Sequence, residues 1–325
     1  MSSPQETELR RLFDLGREDV DYYFPPGDYE LRGVNIGNRW TIRGAGMGST
    51  RIKFLPGDGT TCFWMAANEP RDSTNVRFQD FTLNCNWPAF RAAGAAGCTG
   101  IGGFLMEGFR CERVEIFNHG SVDADGGGAI FPNNILRVAR RIVVRDCWIH
   151  DGSGYAHGIA LASNNHHNRI TYTEVLVENN LIQGPGGIAI GVQGEGGRFV
   201  GNIIEGHAYG FFSDTGYVHR NIYESNRISG THYAVYFSGG WFDEPTQQPG
   251  TWRNIFRNNV IEVTRTGLGM HFGQNCGENL VEGNIVRALP GIPNREGIVF
   301  TAESLTGNIM RNNIVDEVLL EEPPH

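Results

Sequence analysis

From about residue 76 the chain alternates short apolar segments with polar turns, on a repeat too short for helices. The segments "CWIHDG", "NNLIQG", "GNIIEG", "SNRISG", "NNVIEV", "GNIVRA" and "NNIVDE" recur, and they set Cys147, Asn180, Asn202, Asn226, Asn259, Asn284 and Asn313 in one aligned position, 22 to 33 residues apart. Between them recur "GIALAS", "GIAIGV", "GFFSDT", "AVYFSG", "GLGMHF" and "GIVFTA". Short segments rich in glycine and β-branched residues read as strands and break any helical reading. A drifting period of this size is the mark of a solenoid. Propeller blades are longer, with four strands each, and would not repeat one Asn per turn. In a parallel β-helix, equivalent residues of successive coils stack at roughly 4.8 Å. An Asn in such a turn tolerates the left-handed conformation, and its amide can bond the Asn above and the Asn below.

Aligning the second motif on Gly158, Gly187, Gly210, Ala234, Gly267 and Gly297 sets the faces. The inward pairs become Ile159/Leu161, Ile188/Ile190, Phe211/Ser213, Val235/Phe237, Leu268/Met270 and Ile298/Phe300, all apolar except Ser213. One outward column then reads Ala160, Ala189, Phe212, Tyr236, Gly269, Val299, and the next Ala162, Gly191, Asp214, Ser238, His271, Thr301. Small residues occupy the early coils, and aromatic and ionisable ones the middle. Asp214 and His271 fall in one column two coils apart, roughly 10 Å at strand spacing.

The ends fit this plan. Ser3 with Glu6 is a capping-box pattern, and Leu9, Leu12 and Phe13 form an apolar stripe. A short helix within residues 1–20 is expected to cover the open end of the solenoid. Coils follow over 21–318, and 319–325 form an acidic, proline-rich tail. The expectation is a single all-β domain, a parallel β-helix with an N-terminal capping helix; the resemblance described next implies that it is right-handed.

The stretches "YYFPPGDYEL", "NRWTIRGAGMGSTRI" and "QDFTLNCNW" resemble the way right-handed parallel β-helix proteins of the pectate-lyase superfamily enter their first coils. The resemblance covers the chain from about residue 20. It implies the fold and a carbohydrate-active protein, but no reaction. It also makes calcium possible, with Asp123 and Asp125 of "DADGGG" as the candidates; otherwise no cofactor or metal is expected.

Composition narrows the classes. The 325 residues hold 45 glycines, with 40% hydrophobic and 19% charged content. The formal net charge of −9 argues against a phosphate-tracking nucleic-acid partner. No apolar run is long enough to span a membrane. The N-terminus lacks the basic start and apolar core of a secretion signal, which leaves location open. Lys53 is the only lysine, so a lysine-based mechanism is disfavoured. The six cysteines form no CxxC pair and no zinc spacing. They read as buried thiols, with a Cys85–Cys98 bridge as the alternative. "GAGMGS" is followed by a strand-like "TRIKF" and reads as a turn, not a phosphate loop. His166 and His167 would point to opposite faces and so cannot easily share a metal.

The face with changing character suits a carbohydrate groove. Phe212, Tyr236 and Trp241 are candidate stacking platforms, with Tyr209 and Ser238 as further substrate contacts. In a lyase or epimerase, His271, His232 and Tyr236 would supply the acid and base, and Arg220 or Arg253 would neutralise a uronate carboxylate. In a glycoside hydrolase, Asp214 would pair with Asp243 or Glu244 of the long loop "GGWFDEPTQQPG". A non-catalytic glycan-binding or tailspike-like solenoid is the third reading. The polygalacturonase-like Asp pair with Gly-His-Gly and the epimerase-like Asp-Pro-His are both absent. A homo-oligomer is possible.

Overall fold

The computed structural model describes residues 18–320 apart from 58, 66–72, 123–126, 134–137, 162–171, 215–216, 239–249, 264–267, 289–295, 302–303, 305 and 317–318. The chain winds into a parallel β-helix. Each strand pairs in parallel with its equivalent one coil on, as Tyr209–Ser213 does with Tyr233–Phe237, and that strand with Leu268–Phe272. Two sheets run the length of the molecule. One takes a single strand per coil, such as Tyr209–Ser213. The other takes three short consecutive strands per coil, such as Val218–His219, Ile222–Glu224 and Arg227–Ser229, with turns between them. Of the expected capping helix only 18–20 are described. They form a bend, clasped by Arg39 through Glu18 and Asp19. At the far end Leu319–Leu320 still pair with Glu296 and Ile298, so stacking runs two residues into the segment expected as tail.

The core is a column of inward side chains. Phe199, Tyr223 and Phe256 stack nearly parallel, with ring centroids 4.9 and 4.5 Å apart. Phe211, Phe237 and Phe272 pack beside them from the other sheet. Ring centroids in this range are those of favourable aromatic pairs.

The turns hold two asparagine columns. In the first, each amide from Asn180 to Asn284 donates to the Oδ1 of the next: Asn180 to Asn202 (2.9 Å), Asn202 to Asn226 (3.0 Å), Asn226 to Asn259 (2.9 Å), Asn259 to Asn284 (2.8 Å) and Asn284 to Asn313 (3.0 Å). The second column, Asn254, Asn279 and Asn308, makes the same bonds, and Asn221 joins it by donating its backbone N–H to Asn254 Oδ1. The left-handed residue is not the column Asn but the residue before it: Asn179, Ser225, Asn258 and Asn312 all have φ near +55°. None of the column Asn residues has a positive φ, and those from Asn180 to Asn284 are buried.

A third column needs small residues. A Cβ on Gly100, Gly158, Gly210 or Gly269 would lie 2.2–2.7 Å from the carbonyl oxygen of Ala129, Ala189, Ala234 or Gly297 in the next coil. Glycine is required there by contact with rigid backbone.

All six cysteines are free and buried. Cys85 and Cys98 are not bridged; the Cys98 thiol donates to the Cys85 carbonyl at 3.0 Å. Burial pushes the Cys62 and Cys85 thiols up.

Candidate functional site

The small-residue column fixes the register of the single-strand sheet, and it corrects the sequence alignment. Ala189, not Gly187, stands between Gly158 and Gly210, because Ile159 pairs with Ile190 and Ile190 with Phe211. Gly269, not Gly267, follows Ala234, because Val235 pairs with Met270. Ile188 and Leu268 therefore leave the inward set, which becomes Ile190/Val192 and Met270/Phe272. His271 moves one column over. It stands directly beside Tyr236, and Asp214 is followed by Ser238, Gly273 and Thr301.

Two rows of rings then run along the outer face. Phe212, Tyr236 and His271 form one row, with centroids 5.6 and 5.1 Å apart and planes within 14° and 3°. Tyr209 and Tyr233 form the other, 5.2 Å apart and within 6°. The rows interlock through tilted contacts, Tyr209 with Phe212 at 4.7 Å and Tyr233 with Tyr236 at 5.0 Å. Tyr209 and Tyr233 belong to positions that simple alternation would send inward. Both are partly exposed, and their rings lie against those of Phe212 and Tyr236.

This geometry covers both faces of Tyr236, which lies between Phe212 and His271, and one face of Phe212. Rings in register at strand spacing cover one another's faces. A sugar laid on this surface meets ring edges, phenol hydroxyls and an imidazole. Phe212 has one face turned back toward Gly191, where the row carries no side chain.

The electrostatics are local. Burial raises the Tyr209 hydroxyl pKa, with the charges of Tyr236 and Asp214 adding to it. Burial also raises Tyr236, followed by the Asp214 charge, against a smaller lowering by the Ser238 hydroxyl that bonds it. Tyr236 is thus held as a neutral phenol beside His271. Gly273 lies against both partners of this unit: a Cβ there would sit 3.3 Å from Ser238 Cβ and Oγ and 3.6 Å from His271 Nε2.

Other expected site residues fall elsewhere. His232 sits at the margin, edge-on to Tyr233 at 4.6 Å. Arg220 and Arg253 are left-handed turn residues (φ 53° and 58°) just before Asn221 and Asn254, and Arg253 pairs with Glu278. They serve the second asparagine turn at another corner of the coil and do not flank the ring rows. His207 is fully buried, and burial holds its pKa down to about 4. His219 stacks on Tyr217, 4.9 Å away, on a different strand. Trp241, Asp243, Glu244, Asp123, Asp125, His166 and His167 lie outside the described residues. Among the described residues no group of three His, Cys, Asp or Glu side chains could hold a metal ion, so the calcium expectation has no described ligand set. Sequence reading missed Tyr233, Gly273 and Thr301. Tyr233 precedes Ala234 as Tyr209 precedes Gly210, and that parallel was the available signal.

No family model matches the chain, and no curated protein matches it. Among solved structures it is similar to the A-module of a mannuronan C-5 epimerase from Azotobacter vinelandii, with TM-score 0.56 and 15% identity over 99% of this chain and 95% of that one. It is also similar to DFA-IIIase from Arthrobacter chlorophenolicus A6 in complex with DFA-III, with TM-score 0.51 and 14% identity over 92% and 84%. At these identities the likeness shows the fold, a right-handed parallel β-helix.

Proposed function

We propose that this chain acts on a polysaccharide or oligosaccharide laid across the ring rows, by lyase or epimerase chemistry on a uronate residue. The observation that carries the reading is the Tyr236–His271 pair: parallel rings 5.1 Å apart, with the Asp214 charge helping to hold the Tyr236 hydroxyl protonated. His271 takes the proton alpha to the uronate carboxylate. Tyr236, a phenol kept protonated by burial, returns one to the leaving oxygen or to the other ring face. Asp214 orients sugar hydroxyls. The two similar structures are carbohydrate-active enzymes, one of them a C-5 epimerase by name, which supports the substrate class. The hydrolase reading pairs Asp214 with Asp243 or Glu244, both of which lie outside the described residues.

The test is a panel of uronate polysaccharides followed three ways: ultraviolet absorbance for unsaturated products, proton NMR for inverted C5, and reducing ends for hydrolysis. Tyr236→Phe and His271→Gln are each expected to lower turnover by ~10² or more, the usual scale for a lost general acid or base. Reducing ends without unsaturation would make the chain a hydrolase. Binding with no product in any assay would make it a lectin-like solenoid.

A further inference from the structure

Arg220 and Arg253 serve turns, so the cations that an acidic polymer requires stand elsewhere on a chain whose net charge is −9. They gather on the outer face of the three-strand sheet. Arg77, Arg110, Glu112 and Arg145 span three successive coils: Arg77 pairs with Arg110 in one outward column, and Glu112 pairs with Arg145 in the next. Glu112 points outward yet is buried, while the arginine side chains around it are 40%, 49% and 38% exposed. A buried carboxylate needs a partner, and Arg145 supplies one at 2.9 Å. Arg77 and Arg110 add little to that. Their guanidiniums stand 3.6 and 3.5 Å from Glu112, beyond good hydrogen-bond distance, and like charges side by side on neighbouring strands repel. Elsewhere on this sheet cations and carboxylates are matched closely, as in Arg43–Asp21, Arg113–Asp80, Arg253–Glu278 and Arg311–Glu282, at 2.5–2.9 Å. Here three guanidiniums share one carboxylate. Among the described residues the only other carboxylate in reach is Glu178, 3.8 Å from Arg145. The patch therefore holds positive charge that no described carboxylate matches.

We propose that this patch is a second binding site, apart from the ring rows, for carboxylates of the same acidic polysaccharide. The identity of the ligand rests on the uronate reading above; the surplus charge does not. A guanidinium takes a carboxylate through a fork of two N–H donors. Arg77 and Arg110 carry two such forks on backbones one strand spacing apart, roughly 4.8 Å. Arg145 lies on the other sheet from Phe212 and two coils before it. A single sugar does not reach both sites, but a long chain does. Holding one stretch of polymer at the arginines raises the effective concentration of the rest near Tyr236 and His271. A short oligomer, held at one site at a time, gains nothing from the patch.

The experiment uses the full chain with long polymannuronate, polyguluronate and polygalacturonate, each against its carboxyl-reduced form. Calorimetry reads binding, and the assays above read turnover. The wild type is expected to bind at least one uronate polymer about tenfold or more tighter than its reduced form, and Arg77→Gln/Arg110→Gln to lose most of that difference. For that polymer the variant should raise KM about fivefold or more at unchanged kcat, while turnover of tetramers stays within about twofold. Arg311→Gln, which removes a matched cation at the far end of the same sheet, should change neither. Thermal unfolding checks the fold. Arg77→Lys/Arg110→Lys keeps both charges over Glu112 and covers the case of a Gln variant that unfolds; without the forks it is expected to bind the polymer about threefold or more weaker than wild type. Unchanged polymer affinity in the variant that folds, or an equal loss in Arg311→Gln, would overturn the patch and leave the ring rows standing. A polymer that the wild type binds through these arginines but does not turn over would sustain the patch and overturn the uronate chemistry. Wild-type binding of no uronate polymer would overturn the patch, and turnover of tetramers then decides the chemistry separately.

Discussion

Replacing Asn226 with Ala is the sharpest test of what holds the coils in register. The Asn226 amide donates to Phe199 O and to Asn259 Oδ1, both at 2.9 Å. Its Oδ1 accepts from the N–H and the Nδ2 of Asn202, both at 3.0 Å. The side chain is 1% exposed, so water does not replace these partners. Alanine strands three buried groups: the Asn202 N–H, the Asn202 amide and the Phe199 carbonyl. Asn259 Oδ1 keeps the bond from the Asn226 backbone. A buried polar group left unmade costs about 1–3 kcal/mol. Some relaxation into the space left by the side chain leaves a net loss of about 3–5 kcal/mol. The control is Asn313→Ala at the end of the same column. Asn313 accepts from Asn284 and donates to Val281 O, but it is half-exposed, so water can take over and about 1 kcal/mol is expected. Guanidinium denaturation followed by circular dichroism reads both. Asn226→Asp should be worse than Ala at neutral pH, because it keeps an acceptor, loses both donors and buries a charge. Equal losses at positions 226 and 313, or a loss under about 1 kcal/mol at 226, would refute the ladder as a stabilising device.

Other expectations follow from burial and contact. Burial holds His119 down to about 3 and His207 to about 4, against an ordinary value of 6.5. The unfolded chain therefore takes up protons that the folded one refuses. Stability should fall as pH drops below about 6.5, down to about 4 for His207 and about 3 for His119, by about 1.4 kcal/mol per pH unit for each group. His207→Phe should flatten that acid limb, and superposable pH–stability curves would count against it. Gly210→Ala drives a Cβ to 2.4 Å from the Ala234 carbonyl and should cost about 1–3 kcal/mol. Gly59→Ala, with nothing within 4 Å, should be neutral or slightly stabilising, and equal effects in a thermal-melt comparison would undo the packing argument. A thiol reagent should label none of the six cysteines in the native protein and all six after denaturation. Rapid labelling in the native state would contradict their burial.

The period, the strands and the first asparagine column could be read from sequence because each is enforced by residue identity at a buried turn or core position. The second column was equally written, though it went unread: "NIYESN", "NIFRNN", "NLVEGN" and "NIMRNN" each place two Asn five residues apart. The site was harder for a specific reason. A register error of one residue flips every side chain and betrays itself as polar groups in the core. An error of two preserves the alternation itself and changes only which apolar residues end the inward set. Taking Gly187 and Gly267 for Ala189 and Gly269 left the hydrophobic alternation intact, yet it put His271 beside Ser238 instead of beside Tyr236. Only the steric demand of the small-residue column, a through-space contact with the next coil, discriminates the two. Alternation is silent in the same way about ring orientation. It put Phe212 and Tyr236 outside, but the strand repeat then stacks them face to face with each other and with His271. Both faces of Tyr236 and one face of Phe212 are covered within the protein. Under the proposed function, what this surface offers a sugar is a line of ring edges and hydroxyls. That favours recognition by directed hydrogen bonds at chosen positions over stacking on any ring that passes.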